Sequence, residues 1–87
     1  MYLYLGKHTV VPCADVVGIF DMETATPSKI TKEFLNRAQA EGAIAAVGEN
    51  LPATMVVCRS ETRTRVYLSQ ISTATLRKRA ARSLGLE

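Results

Sequence analysis

The stretch Thr54-Met55-Val56-Val57-Cys58-Arg59-Ser60-Glu61-Thr62-Arg63-Thr64-Arg65-Val66-Tyr67-Leu68-Ser69-Gln70-Ile71 decides the fold. Thr54–Cys58 is a short apolar, β-branched run of the kind that fills a strand. Arg59–Thr64 is polar and reads as a turn. Val66, Leu68 and Ile71 then recur with Tyr67, Ser69 and Gln70 interleaved, giving a second strand. Two strands joined by so short a turn pair antiparallel, since parallel neighbours need a crossover of roughly a dozen residues or more.

Working toward the N-terminus, Ala43–Val47 reads as another strand, followed by the polar turn Gly48-Glu49-Asn50-Leu51-Pro52. Before it lies a helix. Thr26-Pro27 or Ser28 supplies its start signal, a cap residue with proline available at the first helical position. Ile30, Phe34, Leu35 and Ala38 share one face, while Lys29, Glu33, Arg37 and Glu41 alternate in sign at i,i+4 on the other. Gly42 is the expected stop. Asp15–Asp21 is a strand whose nearly continuous apolar centre predicts burial on both faces, with Gly18 marking a bulge or a close backbone approach. Tyr2–Leu5, the turn Gly6-Lys7 and Thr9–Val11 form a hairpin ahead of Pro12. At the other end, Ser72 or Thr73 caps a final helix through Leu76 and Ala80 to about Ser83, with Gly85 as its stop. The order is strand, strand, strand, helix, strand, strand, strand, helix. The expected fold is α+β: a small, mainly antiparallel sheet with one central amphipathic helix and a C-terminal basic helix, forming one domain over residues 1–87.

Charge is distributed unevenly. Residues 59–87 hold seven cations (Arg59, Arg63, Arg65, Arg77, Lys78, Arg79 and Arg82) against Glu61 and Glu87, a balance of +5. Residues 1–58 hold four cations against six carboxylates, a balance of −2. The overall +3 therefore conceals a dipolar chain. Such asymmetry is what a polyanion-binding surface requires. On the terminal helix, at about 100° per residue, Leu76 and Ala80 define the buried stripe and Lys78, Arg79 and Arg82 fan across the far side. Three readings of this helix stay open: a solvated surface, a phosphate-binding surface, or a surface pairing with acidic residues of another subunit.

Other chemistry is sparse. Cys13 and Cys58 are the only cysteines and read as small buried hydrophobes of a reducing cytoplasm. With His8 the single histidine, no metal-ligand set is expected. There is no glycine-rich phosphate loop and no nucleophile–base grouping, so neither catalysis, a cofactor nor a small-molecule substrate is expected. Asp21 and Glu23, two apart, would share a side of an extended segment; a solvated strand end is the simpler reading. Tyr2 and Tyr4 share a face of the first strand, as stacking platforms would, though core or subunit packing also accounts for them. No run approaches the roughly 20 apolar residues of a membrane span and no charged leader precedes an apolar stretch, so a cytoplasmic protein without membrane contact is expected. Eighty-seven residues bury a thin core, and small domains often gain stability by oligomerising.

Several blocks, in order and spacing, resemble one family over essentially the whole chain. They are Met1-Tyr2-Leu3-Tyr4-Leu5-Gly6, Val10-Val11-Pro12, Asp15-Val16-Val17-Gly18-Ile19-Phe20-Asp21, Thr31-Lys32-Glu33-Phe34-Leu35 and Ile71-Ser72-Thr73-Ala74-Thr75-Leu76-Arg77-Lys78-Arg79. The chain resembles the RemA/RemB family, small bacterial regulators of the extracellular matrix. The resemblance implies a homo-oligomeric ring of small α+β domains that contacts double-stranded DNA through arginines and influences transcription of biofilm matrix genes. In the RemA branch an arginine pair follows a glycine that aligns with Gly48; here Glu49 and Asn50 stand in its place. Phosphate contacts would then fall to Arg59, Arg63, Arg65, Arg77, Lys78, Arg79 and Arg82. The alternative is a non-catalytic interaction ring without direct DNA binding, its basic segment meeting Asp21 and Glu23 of a neighbour or a separate acidic partner.

Overall fold

The hairpin at residues 54–69 sits at the centre of the structure. A computed structural model describes residues 1–25 and 28–83, the side chain of Ser83 excepted. Strands β1 (Tyr2–Gly6) and β2 (Thr9–Pro12) form a hairpin of their own. A 3-10 turn (Cys13–Asp15) leads into β3 (Val16–Asp21), the short helix α1 (Met22–Ala25) and helix α2 (Lys29–Ala40). β4 (Ile44–Val47), β5 (Thr54–Ser60), β6 (Arg63–Ser69) and helix α3 (Thr73–Ser83) follow. The second sheet runs β3-β5-β6-β4.

The α+β class is as expected, with two refinements. β4 pairs parallel with β6, from Ile44 opposite Val66 to Val47 opposite Ser69. The twelve-residue α2 carries the chain from one edge of the sheet to the other, and the β5–β6 hairpin fills the gap between β3 and β4. This is a split β-α-β unit. The second refinement is that β3, an edge strand, is not buried on both faces. Val17 is 67% and Phe20 42% exposed. Register shifts between Val16 and Gly18, so Val17 is the bulged residue. The Phe20 ring lies over Gly18, where an added Cβ would come within 2.5 Å of it. Of the two readings of this glycine the bulge is present, while the close neighbour is an aromatic side chain and not another stretch of backbone.

Helix α2 opens at Ser28, whose Oγ accepts from the Thr31 N–H; Thr26 and Pro27 lie outside the described residues. It stops at Gly42, whose φ of +70° suits glycine. Ala38 is buried and Leu35 half-buried against Met55, Val66 and Leu68. Ile30 and Phe34 overhang this contact, and Ile30 is 79% exposed. The charged residues Lys29, Lys32, Glu33 and Arg37 face solvent.

The opposite face of the sheet carries the larger core. Leu3 and Leu5 of β1, Val11 of β2, Val56 and Cys58 of β5, Val47 of β4 and Leu76 of α3 meet there. In the two-residue turn of the first hairpin, Lys7 and His8 both adopt positive φ, the twist that joins antiparallel strands tightly. Two buried hydroxyls pin the layers together. The Ser69 Oγ donates to the Leu5 carbonyl at 2.7 Å and accepts from the Ile71 N–H at 3.1 Å. The Thr54 Oγ1 donates to the Ile71 carbonyl at 2.7 Å and lies 2.9 Å from the Thr73 hydroxyl. Among the described residues no buried side-chain polar atom lacks a partner. Ser69→Ala would strand a carbonyl and an N–H together, and a loss of about 2 kcal/mol in urea unfolding is expected.

Candidate nucleic-acid interface

Helix α3 begins beside the end of β6, where the Ser72 Oγ accepts from the Thr75 N–H at 3.2 Å and so caps it. Gly85, its expected stop, lies outside the described residues. Leu76 is fully buried and Ala80 packs against the same core. Arg77 and Arg79 leave the helix on opposite flanks of that stripe, at about 100° per residue. On one flank the Arg77 guanidinium donates to the Ile19 carbonyl of β3 at 3.0 Å. On the other, Arg79 lies 6.0 Å from the centre of the Tyr4 ring on β1. Arg82, one turn on, lines the same cleft as Arg79. Lys78 is exposed, on the side away from the stripe.

The turn cations divide by register. Ser60 pairs with Arg63 and Cys58 with Arg65, so these two arginines project to the face that carries the first hairpin and α3. That they share a side is as expected. Arg63 and Arg65 line a cleft with Val11, Pro12 and Asp15. Arg59 pairs with Thr64 and turns to the α2 face, donating to the Thr64 Oγ1 at 2.9 Å. α3 packs on β1, β1 pairs with β2, and β2 borders Arg63 and Arg65. The α3 cations and the turn cations thus flank the hairpin on one face of the sheet. Arg59, though on the other face, still borders Arg63 and Arg65 in a cleft at the end of the β5–β6 hairpin beside Glu41, and Arg77 is engaged with the backbone of the edge strand.

Two further surface features are set by the tertiary structure. Leu3 and Leu5 point inward, so Tyr2 and Tyr4 are 68% and 44% exposed, side by side with Arg79 and Arg82. The period-two alternation of this strand was the available signal, and it removes the core reading of both tyrosines within the protomer. The second is a shallow apolar cleft of about 290 Å³ formed by Val17 and Phe20 of β3, Ile30 and Phe34 of α2, and Met55 and Val57 of β5. Asp21 ends β3 but Glu23 does not continue that extended segment, because the chain turns into α1 after Asp21. There the Asp21 carboxylate accepts from the Glu23 N–H at 2.8 Å.

Both cysteines are free thiols, Cys58 buried and Cys13 half-buried. Burial, helped by the negative charge of Asp15, pushes the Cys58 thiol from 9.0 up to about 11. Between those values the folded chain keeps a proton that the unfolded chain has lost, so alkali favours unfolding. Stability should fall there by up to about 1.4 kcal/mol per pH unit. The check is urea unfolding across that range, with Cys58→Val as the variant that lacks this contribution.

Among the described residues no three His, Cys, Asp or Glu side chains gather as a metal site. No described helix is long and apolar enough to cross a membrane. What the fold and this face define is a small α+β protein with a cationic, tyrosine-bearing surface. Against protein-family models the chain gives no match. It is 40% identical over 80 residues to Extracellular matrix regulatory protein B of Bacillus subtilis (strain 168), covering 92% of this chain and 90% of that protein. The chain belongs to this extracellular matrix regulatory family, the RemA/RemB family whose sequence blocks it carries.

Proposed function

We propose that the protein is a non-catalytic bacterial regulator that binds double-stranded DNA as a homo-oligomer and influences transcription of matrix genes. The name of its relative supports the regulatory role. The observation that carries the DNA reading is the placement of Arg63 and Arg65 with Arg79 and Arg82 on either side of one hairpin, on one face of the sheet. Lys78 extends that face, while Arg59 and Arg77 contribute from its margins. Four phosphate contacts per protomer bind weakly at cellular salt, but copies joined in one assembly multiply them through effective concentration. The apolar cleft of Val17, Phe20, Ile30 and Phe34 supplies a surface for that self-association. A partially used basic helix favours one competing reading: Arg77 and Arg79 make contacts within the protomer, as they would in an interaction ring that does not bind DNA.

Electrophoretic titration of a DNA duplex across salt tests the proposal. Log affinity should fall against log salt with a slope of about −0.9 for each phosphate contacted, near −3.6 for every protomer engaged. Absence of binding to any duplex at low salt would end it. Sedimentation tests the assembly: the wild-type chain should run as a multimer, and Ile30→Asp with Phe34→Asp should shift it toward monomer. Both positions are exposed enough for the fold to survive. A wild-type chain that stays monomeric at micromolar concentration would remove the multi-copy part.

A further inference from the structure

We infer that the cleft between β1 and α3 is a binding site for unpaired bases of a single-stranded nucleic acid, which stack on Tyr2 and Tyr4 while Arg79 and Arg82 hold the flanking phosphates. The inference rests on the polyanion-binding reading of this face and adds a ligand that a duplex surface alone does not require. The cleft has a volume of about 410 Å³ and, among the described residues, is lined by Met1, Tyr2, Leu3, Tyr4, Arg79 and Arg82. It therefore combines two aromatic rings with two guanidinium groups.

The geometry favours bases over other aromatic anions. Residues i and i+2 of a strand project to the same side about 7 Å apart, so each ring can take its own base. Paired aromatic residues on a strand are how sheet surfaces commonly hold successive unpaired bases. In a duplex each base face is already covered by its neighbours, so an exposed ring gains nothing there. Only an unpaired base offers a free face. Arg79, at 6.0 Å from the Tyr4 centroid, is at the limit of a cation–π contact. It lies over the ring at a distance that a stacking base can displace, and Tyr2 is the more exposed ring.

The chain supplies its own reporter. It contains no tryptophan and three tyrosines, so Tyr2 and Tyr4 emit against the background of half-buried Tyr67 alone. The experiment titrates the full chain with an oligothymidylate of about eight nucleotides and, separately, with a duplex of the same length. The expected result is a fall in tyrosine emission that saturates with the single strand and is absent with the duplex. Tyr2→Leu with Tyr4→Leu should weaken single-strand binding by roughly tenfold or more, since stacking on an aromatic ring is commonly worth that per base. Duplex affinity should stay unchanged, and Tyr2→Phe with Tyr4→Phe should bind the single strand like wild type. Duplex binding accompanied by no change in emission on adding the single strand, and by no effect of the leucine pair on single-strand affinity, overturns the inference while leaving the proposed function intact. Loss of binding to every nucleic acid in the wild-type chain removes that function itself. An emission change that follows protein concentration without nucleic acid also overturns the inference, assigning the tyrosines to subunit contact. Thymidine monophosphate binding as tightly as the oligonucleotide overturns it in favour of a mononucleotide site.

Discussion

Changing Arg63, Arg65, Arg79 and Arg82 together to glutamate should abolish duplex binding, with affinity falling more than about 100-fold at moderate salt. The four side chains flank one hairpin on one face, so a duplex laid across it would meet them together. Each charge removed releases one fewer counterion, and each reversal adds repulsion against a phosphate. The salt slope is the more specific readout. It should flatten by about 3.6 for each protomer engaged, whereas a variant that merely unfolds loses binding at every salt alike. The substitutions sit at exposed positions, so circular dichroism and the sedimentation profile should match wild type. Arg77 is left in place because it bonds the Ile19 carbonyl of the edge strand, and its loss would confuse stability with binding. Changing Glu49 and Asn50 to arginine, the pair of the RemA branch, provides a complementary gain-of-charge comparison on the loop after β4.

Leu76→Ala is expected to cost about 3 kcal/mol of stability. Leu76 is fully buried where β1, β2, β5 and α3 converge on one cluster. Side chains from separate elements cannot all close on the void, so the cavity penalty adds to the lost transfer energy. For a domain this small, whose whole stability is of the order of 5–15 kcal/mol, that loss should lower the melting temperature by roughly 12–24 °C. Urea unfolding gives the free energy directly. The variant also separates scaffold from site. Its folded fraction keeps every cation, so DNA affinity corrected for that fraction should match wild type.

Much of the architecture was legible because it rests on local rules. The Gly42 stop, the Ser28 and Ser72 caps, the bulge beside Gly18 and the inward pair Leu3 and Leu5 are each written in a few neighbouring residues. The parallel pairing of β4 with β6 was not, since neighbouring strands in that sheet are distant in sequence. The exposure of Ile30 and Phe34 was also hidden: helical periodicity places them on an apolar face, but only the reach of the sheet beneath decides how much of that face is covered. Glu23 was misplaced on an extended segment because the single turn of α1 has too few residues to show a period.

The sequence by itself determined the class of fold, the Leu76–Ala80 stripe, the family and the concentration of charge after residue 58. Composition and short-range periodicity are enough for these. Only the tertiary structure decided which cations act together. β-register put Arg59 on the opposite face of the sheet from Arg63 and Arg65, and the docking of α3 split Arg77 toward β3 and Arg79 toward β1. It likewise buried Ser69 and Thr54 by giving their hydroxyls carbonyl partners and set Tyr2 and Tyr4 beside two arginines. A side chain's neighbours are fixed by the packing of elements far apart in the chain, and no local pattern encodes that.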